Sequence, residues 1–379
     1  MLICCKYATL YENIHINRVF QFFFNVGSVN LWAIHMNNKQ KELTMNKLTK
    51  IGASALCGSL AGFSAANAGD LSVSGGADMA WVSQSNAVVG QPIGIGSNMT
   101  FSGSGELDNG WTVDLSIAHA NQAAYSNTNI TIGLPGMGDV RIDQGTSGTG
   151  IQRLDDITPN VWEEADGGIT AGINKIMGTS AGTTIEVTPS EVMPDGLTMR
   201  FAYSKDSDSG TINDKSVGGS SGTLESGWDL TLEAGGDLIG VEGLTIYGGI
   251  SQVEQQQNAA TINGDKEEDV WGIKYAMGNF TAGYQQTNED TGITATTSYE
   301  NTSYGITFSV NDDLSIGYNH TESDQSGSSD DPEADSIQIA YTMGGASIRI
   351  MEQDVKNQTY SSAATADFDA TIVSLGLAF

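Results

Sequence analysis

Carboxylates crowd one stretch of the chain. Residues 151–168, IQRLDDITPNVWEEADGG, carry Asp155, Asp156, Glu163, Glu164 and Asp166 around one base, Arg153. Such a cluster can transfer protons, hold a cation or create an electric field. Proton transfer needs a positioned partner, and the rest of the chain offers little. After Ala68 the only histidines are His119 and His320, each without an orienting neighbour in sequence, and the three cysteines, Cys4, Cys5 and Cys57, all precede it. No phosphate loop, nucleophile elbow or metal-ligand spacing is present, so no enzyme activity and no cofactor are expected. The acidic stretches DSDSG and SDDPEAD allow at most weak Ca²⁺ binding, because neither has the spacing of an EF-hand loop. The chemistry that remains for the cluster is electrostatic.

A second set of charges sits inside apolar alternation. Arg141 lies between Val140 and Ile142, Arg200 between Met199 and Phe201, Lys274 between Ile273 and Tyr275, and Arg349 between Ile348 and Ile350. Successive side chains of a strand point to opposite faces, so these bases share a face that excludes their apolar neighbours. Asp143 and the acids Asp114, Glu186, Asp229 and Glu233 fall on the same polar face. A charge on a lipid-facing position costs a few kcal/mol at mid-bilayer, so parity is most strongly specified at these residues.

The elements that hold these charges repeat one theme, eight to twelve alternating residues followed by turn residues. Trp111-x-Val113-x-Leu115-x-Ile117 and Tyr304-x-Ile306-x-Phe308-x-Val310 are examples, and roughly sixteen such strands are expected. Connections alternate in size. Tight-turn signals at 108–110, 135–138, 278–279, 311–313 and 344–345 alternate with long acidic connections such as 206–222 and 323–335. Two further short-side connections, PSEVMPDG and GGDLIGVEG, are compact. A β-sandwich adhesin or lectin also alternates, but it has no reason to segregate turns and loops end by end over some three hundred residues. A closed antiparallel transmembrane barrel has that reason.

Residues 45–68 read as a secretory signal: Lys47 and Lys50, an apolar stretch from Ile51 to Phe63, and the small-x-small site Ala66-Asn67-Ala68. Residues 1–44 are then an upstream extension, with Met45 the initiator, and 69–379 the barrel. Cleavage after Ala68 leaves 10 bases against 43 acids, a formal net charge of −33. Nucleic acid is excluded as a partner, since phosphate binding needs a basic face. No apolar window long enough for a spanning helix remains. The end of the chain, Thr371 to Phe379, alternates strictly, with Thr371, Val373, Leu375, Leu377 and Phe379 on one face. A sheet can cross lipid only if it has no free edge. This last strand is therefore expected to pair with the first, and no apolar core inside the barrel is needed.

From Gly69 to Phe379 the chain resembles the trimeric general porins of Gram-negative outer membranes, most closely the porin-like proteins of alphaproteobacteria. The signal segment, the alternation of short turns and long loops, and the terminal aromatic carry the resemblance. It implies a homotrimer in outer-membrane lipid and lipopolysaccharide that passes small polar solutes and ions. It also implies that Phe379 is read by the barrel assembly machinery, and that the third long loop, 145–181, folds inward as a constriction with Arg153, Asp155, Asp156, Glu163, Glu164 and Asp166. Loop carboxylates facing wall cations create a transverse field in that family. Two features depart from it: no Lys or Arg occurs between Ala68 and Arg141, and the loop lacks Pro-Glu-Phe-Gly. The acid excess predicts cation preference. A substrate-selective channel is the runner-up reading.

Overall fold

A computed structural model describes residues 71–378 except 88–89, 122–125, 145–147, 209–221, 258–260 and 295–297. The expected signal segment, the expected upstream extension and Phe379 lie outside the described residues. Sixteen strands form the wall. The first eight are β1 (Leu71–Gln84), β2 (Ile93–Glu106), β3 (Thr112–Ala120), β4 (Asn127–Leu134), β5 (Gly138–Gln144), β6 (Thr183–Thr188), β7 (Leu197–Ser204) and β8 (Leu224–Gly235). The second eight are β9 (Leu244–Gln255), β10 (Lys266–Met277), β11 (Phe280–Asp290), β12 (Ser298–Ser309), β13 (Leu314–Gln325), β14 (Glu333–Met343), β15 (Ala346–Lys356) and β16 (Phe368–Ala378).

Each strand pairs antiparallel with its neighbours in sequence, and β16 returns to β1, so the sheet is a closed barrel. At the seam Met79 sits opposite Leu375 and Trp81 opposite Val373. Closure leaves no row of unpaired N–H and C=O groups along the wall, the condition for crossing hydrocarbon with strands. No helix among the described residues is long and apolar enough to cross a membrane.

Alternation sorts the side chains. Ile95, Ile337 and Leu377 are 74%, 62% and 51% exposed, so none of the described residues covers the apolar face at these positions. Aromatic residues share it across strands: Tyr203 is opposite Trp228, and the rings of Trp271 and Tyr284 lie 5.4 Å apart. An apolar exterior on this scale would associate in water; in a bilayer it is the solvated side. His320 also lies on this outward face, with its ring stacked on Tyr304 at 4.6 Å. Its Nδ1 is 2.9 Å from Asp335, an orienting carboxylate not apparent in the sequence.

One end of the barrel carries compact turns, and β8–β9 closes there through a single short helix, α1 (Gly236–Ile239). The other end carries the longer connections. The longest joins β5 to β6 over residues 145–182 and contains a 3-10 turn at Gly150–Leu154.

Candidate functional site

Both feet of the β5–β6 loop are held by carboxylates that point inward from the wall. Gly150 donates its N–H to Glu186 Oε2 on β6 at 2.8 Å. Ile151 N and Thr179 N each donate to Asp229 Oδ2 on β8 at 3.2 Å, and Thr179 Oγ1 donates to the same oxygen at 2.8 Å. Met177 N and Gly178 N donate to the two oxygens of Glu268 on β10 at 2.9 and 2.6 Å. Two glycines permit this approach. Gly150 and Gly178 adopt φ of +56° and +53°, and an added Cβ would fall 1.8 and 2.7 Å from the Asp229 carboxylate. Left-handed backbone and lack of space both demand glycine there.

Beyond the feet the loop crosses five consecutive strands, and one inward amide on each receives it. Gln285 on β11 donates to Asp155 O at 2.9 Å, and Asn301 on β12 donates to Asn174 O at 2.7 Å. Asn319 on β13 accepts from Ala165 N at 2.8 Å, and Gln338 on β14 accepts from Trp162 N at 3.1 Å. Gln353 on β15 accepts from Ile169 N at 2.9 Å and donates to Ala165 O at 2.6 Å. A side-chain amide offers both donor and acceptor, so it can satisfy a loop backbone in place of a sheet partner.

The apolar loop residues find a surface as well. Ile151, Leu154 and Ile176 are buried with Tyr247 and Val270 of the wall, and Ile157 packs against them. Ala165 and Ala171 are buried with Val355, Phe368 and Ala370. The interior therefore does contain two small apolar clusters, against the expectation that none is needed. They arise because a segment of the chain, rather than water, covers that part of the wall.

The sequence-predicted charges divide into two groups. Glu186, Asp229, Glu164 and Asp166 are 3%, 0%, 7% and 6% exposed. Glu186 and Asp229 fasten the loop, while Glu164 and Asp166 hold Lys175 Nζ at 2.8 and 3.3 Å. These four do not face open water, contrary to the reading of Glu186 and Asp229 as pore-wall charges and of Glu164 and Asp166 as constriction charges, because the loop lies over them or folds them beneath itself. The second group is the four arginines, which are partly exposed and ion-paired: Arg141 with the buried Asp143 at 2.6 Å, Arg153 with the buried Glu186 at 2.5 Å, Arg200 with Glu233 at 2.5 Å, and Arg349 with Asp78 at 2.6 Å. The Arg349 guanidinium also lies 5.4 Å from the Trp162 ring centre. Asp114 is exposed on β3. Lys274 points inward on β10 and makes no ion pair among the described residues.

Electrostatics within the loop follow from its position. Burial pushes Asp155 up to about 8, and neighbouring Asp156 adds to the shift. Burial also pushes Glu164 up to about 7, against the pull of Lys175. Glu163 is raised by burial while Arg349 opposes the shift. Burial disfavours the charge on Lys175, but Asp166 and Glu164 outweigh it and hold the ammonium above its usual range. Arg153 is lowered by burial, countered by Glu186, with Arg200 and Arg141 close enough to contribute repulsion. Three arginines thus gather near β5–β7.

The opposite part of the wall is bare. Ser72, Ser74 and Asp78 of β1, Asn98 and Ser104 of β2, and Asp114 of β3 are exposed on the inward face, and no residue of β1–β3 is buried. A recess of about 240 Å³ is lined there by Ser72, Ser102, Ser104, Asp114, Ser116 and Asn129 among others.

Comparison with curated proteins by sequence found no match. Among solved structures the barrel is similar to the Salmonella typhi OmpF complex with daunomycin, at TM-score 0.60 and 13% identity over 82% of this chain and 97% of that one. It is similar to an anion-selective porin from Comamonas acidovorans, at TM-score 0.57 and 13% identity over 82% and 99%. It is also similar to a loop-deletion mutant of OmpT, an outer membrane protein of Vibrio cholerae, at TM-score 0.57 and 11% identity over 83% and 100%. At these identities the likeness speaks for the fold. The sequence itself supplies the family: residues 52–379 match the profile described as Gram-negative porin, and the chain, an outer-membrane β-barrel of the porin type, belongs to that family.

Proposed function

We propose that the protein is a homotrimeric diffusion channel of the outer membrane that prefers cations and passes small hydrophilic solutes without a chemical step. The observation that carries this reading is the unequal lining of the barrel. One part of the inner wall is covered by the β5–β6 loop, and the hydroxyl- and amide-rich face of β1–β4 is left uncovered. The water path runs between them. Its rim on the loop side consists of Arg153, Asp155, Asp156 and Glu163, and Arg141, Asp143, Arg200, Glu233, Lys274 and Arg349 belong to its wall.

Cation preference rests on the charge balance. Four of the arginines spend their charge on a carboxylate within 2.6 Å, while Asp114 lies exposed. Carboxylates outnumber bases 43 to 10 after Ala68, and the surplus raises the local concentration of cations. The Comamonas acidovorans relative is an anion-selective porin on a similar barrel, so lining charge rather than fold decides the sign. Cleavage near Ala68, recognition of Phe379 by the barrel assembly machinery, contact with lipopolysaccharide and weak Ca²⁺ binding by the acidic outer loops complete the proposal.

Planar-bilayer recording of the refolded mature chain tests it. Openings in groups of three and a reversal potential of cationic sign in a salt gradient are expected. An anionic sign overturns the selectivity, and absence of conductance overturns the channel.

A further inference from the structure

The connection from β15 to β16, residues 357–367, lies against the arm of the β5–β6 loop that returns toward β6. Gln358 Nε2 donates to Thr170 O at 2.6 Å, and Thr359 N donates to Ala171 O at 2.9 Å. Asn174 N donates to the Tyr360 hydroxyl at 3.2 Å. Tyr360 is itself tied to the wall: its hydroxyl shares a hydrogen bond with Ser323 Oγ of β13 at 2.6 Å, and its ring lies 5.5 Å from that of Tyr299 on β12. The contact is close, since a Cβ added to Gly172 would fall 2.4 Å from Thr359 Cγ2.

The backbone of this connection is held where its residues resist. Asn357, Thr359 and Tyr360 adopt φ of +51°, +57° and +57°. Asparagine tolerates the left-handed region, but a β-branched threonine and a bulky tyrosine stay there only when their surroundings over-determine it. The other two non-glycine residues with positive φ among the described residues, Asn86 and Asn121, are asparagines. Strain therefore concentrates at the two residues whose N–H and hydroxyl grip the arm. What they grip leads to the rim of the water path: Asn174 precedes Lys175, whose ammonium holds Glu164 and Asp166. The geometry points to Thr359 and Tyr360 as positioning residues of the pore: the β15–β16 connection is a strap that fixes the return arm 170–174 and, through Lys175, the loop carboxylates. The strap's hold on the arm stands apart from conduction, and its effect on current rests on the channel proposed above.

Hydrogen–deuterium exchange of the refolded mature barrel, read on the peptide covering residues 171–175, tests the strap, with planar-bilayer current recorded in parallel. Tyr360→Phe removes the hydroxyl that accepts from Asn174 N. Thr359→Pro removes the N–H that binds Ala171 O and forbids a positive φ. Each should speed exchange at 171–175 about tenfold and increase open-channel current fluctuations several-fold, while peptides of β7–β10 keep their protection. Thr359→Asn, which keeps the N–H and suits the left-handed backbone, should match the unsubstituted barrel in both readouts. Unchanged exchange in either of the first two variants overturns the proposal. So does faster exchange with an unchanged current record, which would make the strap a structural tie only. If the unsubstituted barrel carries no current, the channel reading falls and exchange alone decides the strap. If Thr359→Pro does not refold, as judged by heat-modifiable migration, Tyr360→Phe decides.

Discussion

Strands β1–β4 and strands β11–β15 are built by the same rule, yet their inner faces share little chemistry. The first group presents Ser72, Ser74, Asn98 and Ser104, small groups that water can solvate from one side. The second presents Gln285, Asn301, Asn319, Gln338 and Gln353, all buried and engaged with the loop backbone. Period-two alternation puts a polar group inward in both. Whether that group meets water or peptide depends on its reach and its number of donors and acceptors. A serine hydroxyl is short, whereas a glutamine amide spans the gap to a second layer and satisfies both an N–H and a C=O. One cylinder thus holds a solvated wall and a docking wall.

The contrast can be broken outright by replacing residues 152–177 with a short Gly-Ser link. Single-channel conductance should rise several-fold in planar bilayers while the barrel keeps its heat-resistant migration. Unchanged conductance would show that the loop does not occupy the water path. A narrower change, Asp229→Ala, removes the acceptor of three buried donors. It should lower stability by about 3 kcal/mol, read as a shift of the urea midpoint in detergent. A midpoint that does not move would place the anchorage elsewhere.

Two tryptophan substitutions sharpen the comparison. Ser374→Trp falls on the covered side, where the serine is 1% exposed, and should cost about 1–3 kcal/mol through overpacking. Ser102→Trp falls in the bare recess and should leave stability unchanged while lowering conductance. Equal effects of the two on stability would erase the distinction between the walls. The smallest expected effect is that of Arg200→Ser. Its ion pair with Glu233 leaves the two side chains 21% and 29% exposed, so stability should change by less than about 1 kcal/mol, while the reversal potential moves toward cations.

Much of the solvated wall was legible in the sequence. The alternation around Arg141, Arg200 and Arg349 specifies which face they occupy, and turn residues at 108–110, 278–279 and 344–345 mark one end of the barrel. The docking wall was harder to read. Period two tells which way Gln338 points but not what it meets, since an inward amide suits water as well as a loop. The apolar residues Ile151, Leu154 and Ile157 signalled that the loop packs against something. A signal for the partner also existed in the inward amides recurring at Gln285, Asn301, Asn319, Gln338 and Gln353. Glu186 and Asp229 were misjudged for a related reason: a carboxylate that accepts backbone N–H groups and one that lines a channel have the same parity and the same charge.

The partners of the loop are nearly all encoded after it. Glu186 follows closely, but Asp229, Glu268 and the five amides belong to strands that appear 50 to 190 residues later. During synthesis the acidic segment therefore emerges before its receptors. Its docking must wait until the second half of the cylinder has curled round. A chain halted midway would carry a stretch of carboxylates and isoleucines with nowhere to settle.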